Sequence, residues 1–139
     1  MTSPEDCRRQ FPDDPQIVDK VRLLRRVPPW HFIRDDNAGC LRPSSAAFED
    51  DKDGAPMSVY RQDVIEEEDS VPGRVLTNHP GFGLVSVSAG QMRSKDQTVH
   101  ADPVPEESSH GTVCGPKPKS TRKWFARQAL WVVAPPWVT

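Results

Sequence analysis

The chain has 139 residues, a formal net charge of −2, 35% hydrophobic and 27% charged residues, and 15 prolines. That length suits one domain able to bury roughly two thirds of the surface its unfolded form exposes. Four tryptophans and five phenylalanines carry too much apolar surface for a wholly disordered chain, and the near-neutral charge implies no polyanion partner by itself.

Residues 1–16 contain Pro4, Pro12, Pro15 and four acids, and read as a flexible arm ahead of a single domain over 17–139. Val21, Leu23, Leu24 and Val27 suit a strand or a short helix, interrupted by Arg22, Arg25 and Arg26 and stopped by Pro28-Pro29. Trp30–Ile33 is β-prone and closes at the turn cluster Asp35-Asp36-Asn37 with Gly39. Leu41–Phe48 is extended or one turn of helix, with Pro43 suited to a first helical position and Ser44 or Ser45 able to bond the backbone. An acidic loop follows, with Asp53-Gly54 as its turn.

Met57–Tyr60 reads as a strand; alternatively Ser58 caps a helix running through Glu68. Pro72-Gly73 is a turn. Leu84–Ser88 alternates apolar and polar residues, which predicts a strand with one buried face. Ala89–Lys95 allows one or two helical turns, and Thr98–Val104 and Thr112–Cys114 are short strands around a proline-rich loop. Gly115–Lys119 is a rigid linker. Ser120–Val133 is the best helix, capped by Ser120 and ended by Pro135-Pro136. Pro-Pro-Trp recurs at 28–30 and 135–137 without a wider repeat. Together these elements predict an α+β domain: a small, mostly antiparallel sheet with one or two packed helices, including a C-terminal helix.

Charge is unevenly spread. Residues 44–69 hold nine acids against Lys52 and Arg61, whereas residues 110–139 hold five bases and no acid. Bases in the first turn of a helix oppose its dipole, so those of the C-terminal helix are expected to face the acidic loop. Cys7, Cys40 and Cys114 are widely spaced, without a CxxC pair, and predict no metal site. The first residues lack the basic and apolar blocks of a secretory signal, and no apolar run approaches a membrane-crossing length. A soluble cytoplasmic protein with reduced thiols is expected.

Three groups of residues carry candidate chemistry. Arg42 with Ser44, Ser45 and Tyr60 offers a guanidinium fork and hydroxyls for a phosphate or carboxylate. Ser58 and His110 are a possible nucleophile and base, without a GxSxG elbow around Ser58. Lys123, Trp124 and Arg127 mix bases with an aromatic ring on the C-terminal helix. That mixture can suit nucleic-acid stacking, but the helix is expected rather to dock its tryptophans into the core, and the three residues are carried as candidates for a protein partner. Glycines 81, 83 and 90 form no dinucleotide fingerprint or phosphate loop, and no cofactor is implied.

Leu-Leu-Arg-Arg-Val, Arg-Pro-Ser-Ser-Ala-Ala-Phe, Met-Ser-Val and His-Gly-Thr-Val, in that order, resemble segments of small uncharacterised prokaryotic proteins across about residues 23–133. A much weaker likeness is to ADP-ribosyltransferase-type domains. It would give Arg26 or His31, Ser58, and Glu106 or Glu107 roles around a nicotinamide dinucleotide. Two functions are therefore carried forward. One is a non-catalytic binding or accessory protein engaging a macromolecular partner. The other is a small transferase or hydrolase acting on a nucleotide or other phosphate-bearing ligand. Convergence of the polar groups into one concave site would favour the second.

Overall fold

Short β-prone runs separated by prolines supply eight strands in the computed structural model, which describes residues 3–35, 37, 39–52 and 55–135. Strands β1 (Arg22–Val27), β4 (Met57–Arg61), β5 (Gly83–Ser88), β6 (Thr98–Ala101), β7 (His110–Cys114) and β8 (Leu130–Val133) form one sheet in the order β6-β7-β4-β1-β5-β8. Every neighbouring pair is antiparallel. Strands β2 (Phe32–Asp35) and β3 (Cys40–Pro43) form a separate antiparallel hairpin. Four helices complete the α+β fold: α1 (Pro4–Gln10), α2 (Gln62–Glu67), α3 (Ala89–Arg93) and α4 (Lys119–Gln128).

The sheet is covered on both faces. Leu23, Val27, Met57, Val59, Val85, Val87 and Val113 pack on one side with Phe48 and Phe125, whose ring centroids are 6.0 Å apart. Leu24, Tyr60 and Leu84 pack on the other side with Ile65 and Val75. Strand β5 is therefore buried along almost its whole length rather than on one face. Its polar member Ser86 remains tolerable inside because Arg22 donates to both its hydroxyl and its carbonyl. Ser88 and Gln91 then form a reciprocal capping box that turns the chain into α3.

Several boundaries differ from the sequence expectation. Residues 29–31 form a 3-10 turn, and the strand begins at Phe32. β4 turns directly into α2 without a cap from Ser58. β6 stops at Ala101, where Pro103 has no N–H for a continued ladder. The long C-terminal helix is split: α4 ends at Gln128, and Leu130–Val133 becomes an edge strand beside β5. Ser120 does not cap it, because Pro118 occupies the cap position. Trp131 fits against the sheet because Gly83 lacks a side chain; a Cβ there would lie 2.6 Å from the indole. The turns expected at Asp36 and at Asp53-Gly54 lie outside the described residues, as do Pro136 and Trp137.

The N-terminal segment is attached along β6 and β7. Ser3 caps α1 by accepting from the Asp6 N–H, and Cys7 is joined to Cys114 by a disulfide. Thr98 donates to the Phe11 carbonyl, and the Asp13 carboxylate accepts from the Val99 N–H. The expectation of three reduced thiols is thus corrected: only Cys40 is free among the described residues. Cysteines 107 residues apart in sequence gave no spacing signal; the fold brings their Cα atoms to 5.6 Å.

The uneven charge is resolved between segments. Lys117 reaches Asp50 at 2.6 Å, and Arg122 reaches Glu49 at 3.0 Å. Burial pushes the Lys117 ammonium below its ordinary pKa, and Asp50 offsets part of that. Among the described residues, no helix is long and apolar enough to cross a membrane.

Candidate functional site

Strands β1 and β4 pair only at Leu23/Arg61 and Leu24/Tyr60, then part. Beyond that point β1 stays with β5 through Val27. Arg25 holds the opening. Its guanidinium donates to the carbonyls of Ala47, Ser58 and Glu49 and to the Asp51 carboxylate, at 2.8–3.1 Å. The Ser58 carbonyl, left without a ladder partner on β1, is satisfied by this side chain instead. The resulting cleft is about 270 Å³ and is lined by Arg25, Arg26, Pro28, His31, Ala47, Asp51, Ser58, Tyr60 and Phe82.

Ser58 and His110, diagonal neighbours on β4 and β7, meet in hydrogen-bond contact: His110 Nε2 is 3.1 Å from Ser58 Oγ. The other ring nitrogen is 2.8 Å from the Asp102 carbonyl and 3.6 Å from its carboxylate. A carbonyl oxygen only accepts, so Nδ1 carries a proton, and in that tautomer Nε2 is the acceptor for the Ser58 hydroxyl. A hydroxyl, a base and a group orienting the base thus stand in line. The Tyr60 ring packs edge-on to His110 at 5.8 Å.

Arg26 lies beside this array. Its Nε donates to the Val75 carbonyl at 2.7 Å, and its guanidinium sits 4.5 Å from the centre of the Tyr60 ring. No carboxylate pairs with it among the described residues. Burial raises the Tyr60 pKa, with Arg26 opposing. Burial lowers His31, opposed by Glu49 and assisted by Arg25, and its Nδ1 is buried without a partner among the described residues. Arg26 also borders a second hollow of about 560 Å³, with Thr77, Asn78, His79 and Glu106. There Arg74 is neutralised by Glu68 at 2.9 Å and by Glu107. Burial works against the Glu107 carboxylate, but hydrogen bonds from Arg74 and Ser109 hold its pKa below the ordinary value.

The expected phosphate group of Arg42, Ser44, Ser45 and Tyr60 is not brought together. Tyr60 faces the cleft, whereas Arg42 and Ser45 line a separate groove of about 710 Å³ between the β2–β3 hairpin and α4. Ser44 precedes the Ser45–Phe48 3-10 turn without a side-chain cap, and its N–H donates to the His31 carbonyl. Lys123 and Arg127 share the Arg42 groove, but Trp124 does not. Its ring packs on Phe125 and lies under Lys95, whose ammonium is 4.8 Å from the ring centre. Among the described residues, no cluster of three His, Cys, Asp or Glu side chains is placed to hold a metal.

Arg26, His31 and Ser58 share one cleft, while Glu106 and Glu107 border the adjoining hollow. Arg25, Asp102 and Phe82 were not anticipated as site residues. For Arg25 a signal existed, since consecutive arginines in a strand point to opposite faces. No protein-family model matches the chain, and no curated protein or solved structure is significantly similar to it.

Proposed function

We propose that the chain is a small transferase or hydrolase that binds a phosphate-bearing ligand at Arg26, in the opening between β1 and β4. The observation that carries this reading is the Asp102–His110–Ser58 chain beside an arginine with no carboxylate partner among the described residues. A guanidinium fork suits a phosphate, and cation–ring contact with Tyr60 keeps it in place without neutralising it. Ser58 Oγ would attack the electrophilic centre. His110 would take the hydroxyl proton and pass it to the leaving group.

The test is turnover and binding with a panel of nucleotides, followed by calorimetry and product analysis. Ser58→Ala should keep ligand affinity and lose turnover by about 10²-fold or more, whereas Arg26→Met should lose affinity. Undiminished turnover in Ser58→Ala would remove the catalytic assignment, and unchanged affinity in Arg26→Met would remove the site.

A second reading, a binding protein for a macromolecular partner, is favoured by a different observation. Arg42, Lys123 and Arg127 surround the hairpin–α4 groove, and Ile33 and Leu41 supply it with apolar surface. Lys123→Glu with Arg127→Glu should abolish capture of an acidic protein partner without changing ligand affinity at Arg26. As for compartment, the cytoplasmic expectation competes with the Cys7–Cys114 bridge, which favours oxidising surroundings. Thiol counting on the protein isolated under alkylating conditions distinguishes them.

A further inference from the structure

Trp30 is 74% exposed, the only aromatic side chain among the large exposed hydrophobic residues described. Tryptophan carries a large apolar payload that folding normally buries. Here the chain holds it outward. Pro28 and Pro29 fix the backbone on its N-terminal side, and the 3-10 turn is closed by the His31 N–H on the Pro28 carbonyl at 2.9 Å.

Its neighbours brace the indole without covering it. Phe82 meets it at 5.9 Å and 83°, and His31 at 6.3 Å and 73°, so neither ring stacks parallel on it. Phe82 is itself set by a tight turn at Gly81, whose φ is +79° and where a Cβ would come within 3.4 Å of Pro29. His79 backs Phe82 at 5.1 Å. Phe82, His31 and Pro28 all line the Arg26 cleft, so the indole adjoins two aromatic side chains of its wall without itself lining it.

We infer that Trp30 is a stacking platform for the base of a free nucleotide whose phosphate is held by Arg26. The inference rests on the reading of Arg26 as the phosphate anchor and adds the ligand class: a molecule with an aromatic base as well as a phosphate. A rigid ring presented beside a cationic anchor matches the two chemically different ends of a nucleotide, and stacking accepts any base because each has a π-face. The cleft is small, about 270 Å³, which suits a mononucleotide better than a longer strand.

The experiment is calorimetric titration of the whole chain with the four common nucleoside diphosphates, inorganic pyrophosphate and a single-stranded octanucleotide, with tryptophan fluorescence read in parallel. Trp30 is exposed, so Trp30→Ala should melt like the parent. It should bind a diphosphate nucleotide about tenfold to a hundredfold more weakly and lose the ligand-induced fluorescence change. Pyrophosphate affinity should not change, and Trp30→Phe should recover part of the loss. Equal affinity of the parent for pyrophosphate and every nucleotide would overturn the stacking platform while leaving the Arg26 anchor intact, provided Arg26→Met abolishes both. Nucleotide affinity unaffected by Trp30→Ala would overturn it too. Binding of the octanucleotide alone would overturn the free-nucleotide assignment. Failure of all probes to bind, or binding indifferent to Arg26→Met, would overturn the anchor and the platform together.

Discussion

Adjacent residues of a strand face opposite ways, and Arg25 and Arg26 show what this does to two identical side chains. Arg25 is engaged by three carbonyls and Asp51, and it props β1 and β4 apart. Arg26 spends one donor on Val75 and keeps its fork beside Tyr60. Arg25→Met should therefore destabilise the fold, by about 2–3 kcal/mol, because it strands hydrogen-bond acceptors in a part-buried site. Urea denaturation measures this. His31 and His79 are both lowered from 6.5 mainly by burial; Glu49 opposes this at His31, and Arg26 adds to it at His79. Above 6.5 they are neutral in both folded and unfolded chains. As pH falls through 6.5 the unfolded chain takes up protons first, so stability is lost until the folded values are passed. Each proton then gained in the folded chain adds positive charge beside the anchor. Sulfate, whose own charge is constant over this range, should bind several-fold more tightly once the pH has fallen below the lowered folded values than at about pH 7.5. Affinity that is flat or weaker on acidification would show that these rings do not face the anion.

At the scale of elements, the C-terminal segment shows how packing overrides periodicity. Trp124, Phe125, Gln128 and Trp131 recur near helical spacing, yet only the first three are helical. Leu-Trp-Val-Val is also β-prone, and β5 offers an edge whose Gly83 leaves room for the indole. The Trp131 Nε1–H donates to the Leu41 carbonyl, tying the edge strand to the hairpin. Gly83→Ala should cost about 1–3 kcal/mol by forcing the Trp131 ring away, seen as a lower melting temperature and a changed tryptophan spectrum. The loop carrying Glu107 makes a separate prediction. Its carboxylate lies below the ordinary 4.5 in the folded chain, so the stabilisation is full above that value. It is lost as pH falls through the lowered folded value. Hydrogen exchange at Glu107–His110 should therefore accelerate in that acid window, and Arg74→Met should remove the acid dependence.

For the molecule as a whole, the Cys7–Cys114 bridge closes most of the 139-residue chain into one loop. Linking residues 107 apart restricts the unfolded ensemble most when loops are long. Reduction, or Cys7→Ala, should lower the unfolding free energy by about 2–4 kcal/mol. Denaturation with and without a reductant checks it, and an unchanged midpoint would show that the bridge is not formed in solution. The ion pairs of Lys117 with Asp50 and Arg122 with Glu49 likewise join segments far apart in sequence. Asp50 is half exposed while Lys117 is 95% buried, so Asp50→Asn chiefly leaves a buried ammonium uncompensated.

What the amino-acid order determined by itself was local. It determined the strand at Leu84–Ser88, the strand at Met57–Tyr60, the break at Pro28-Pro29, and the antiparallel α+β class, because alternation and missing N–H groups act within a few residues. The charge asymmetry correctly implied contact between the acidic loop and the basic C-terminal segment, since unpaired like charges on adjoining faces repel. Ser58 and His110 were visible as residue types, but their contact depends on the register of β4 against β7. Only the tertiary structure decided that Arg42 belongs to another groove, that Arg26 keeps its fork, and that Cys7 meets Cys114. Each of those outcomes depends on which distant strands become neighbours, and that choice is made by burying two faces of one sheet together rather than by any short stretch of sequence.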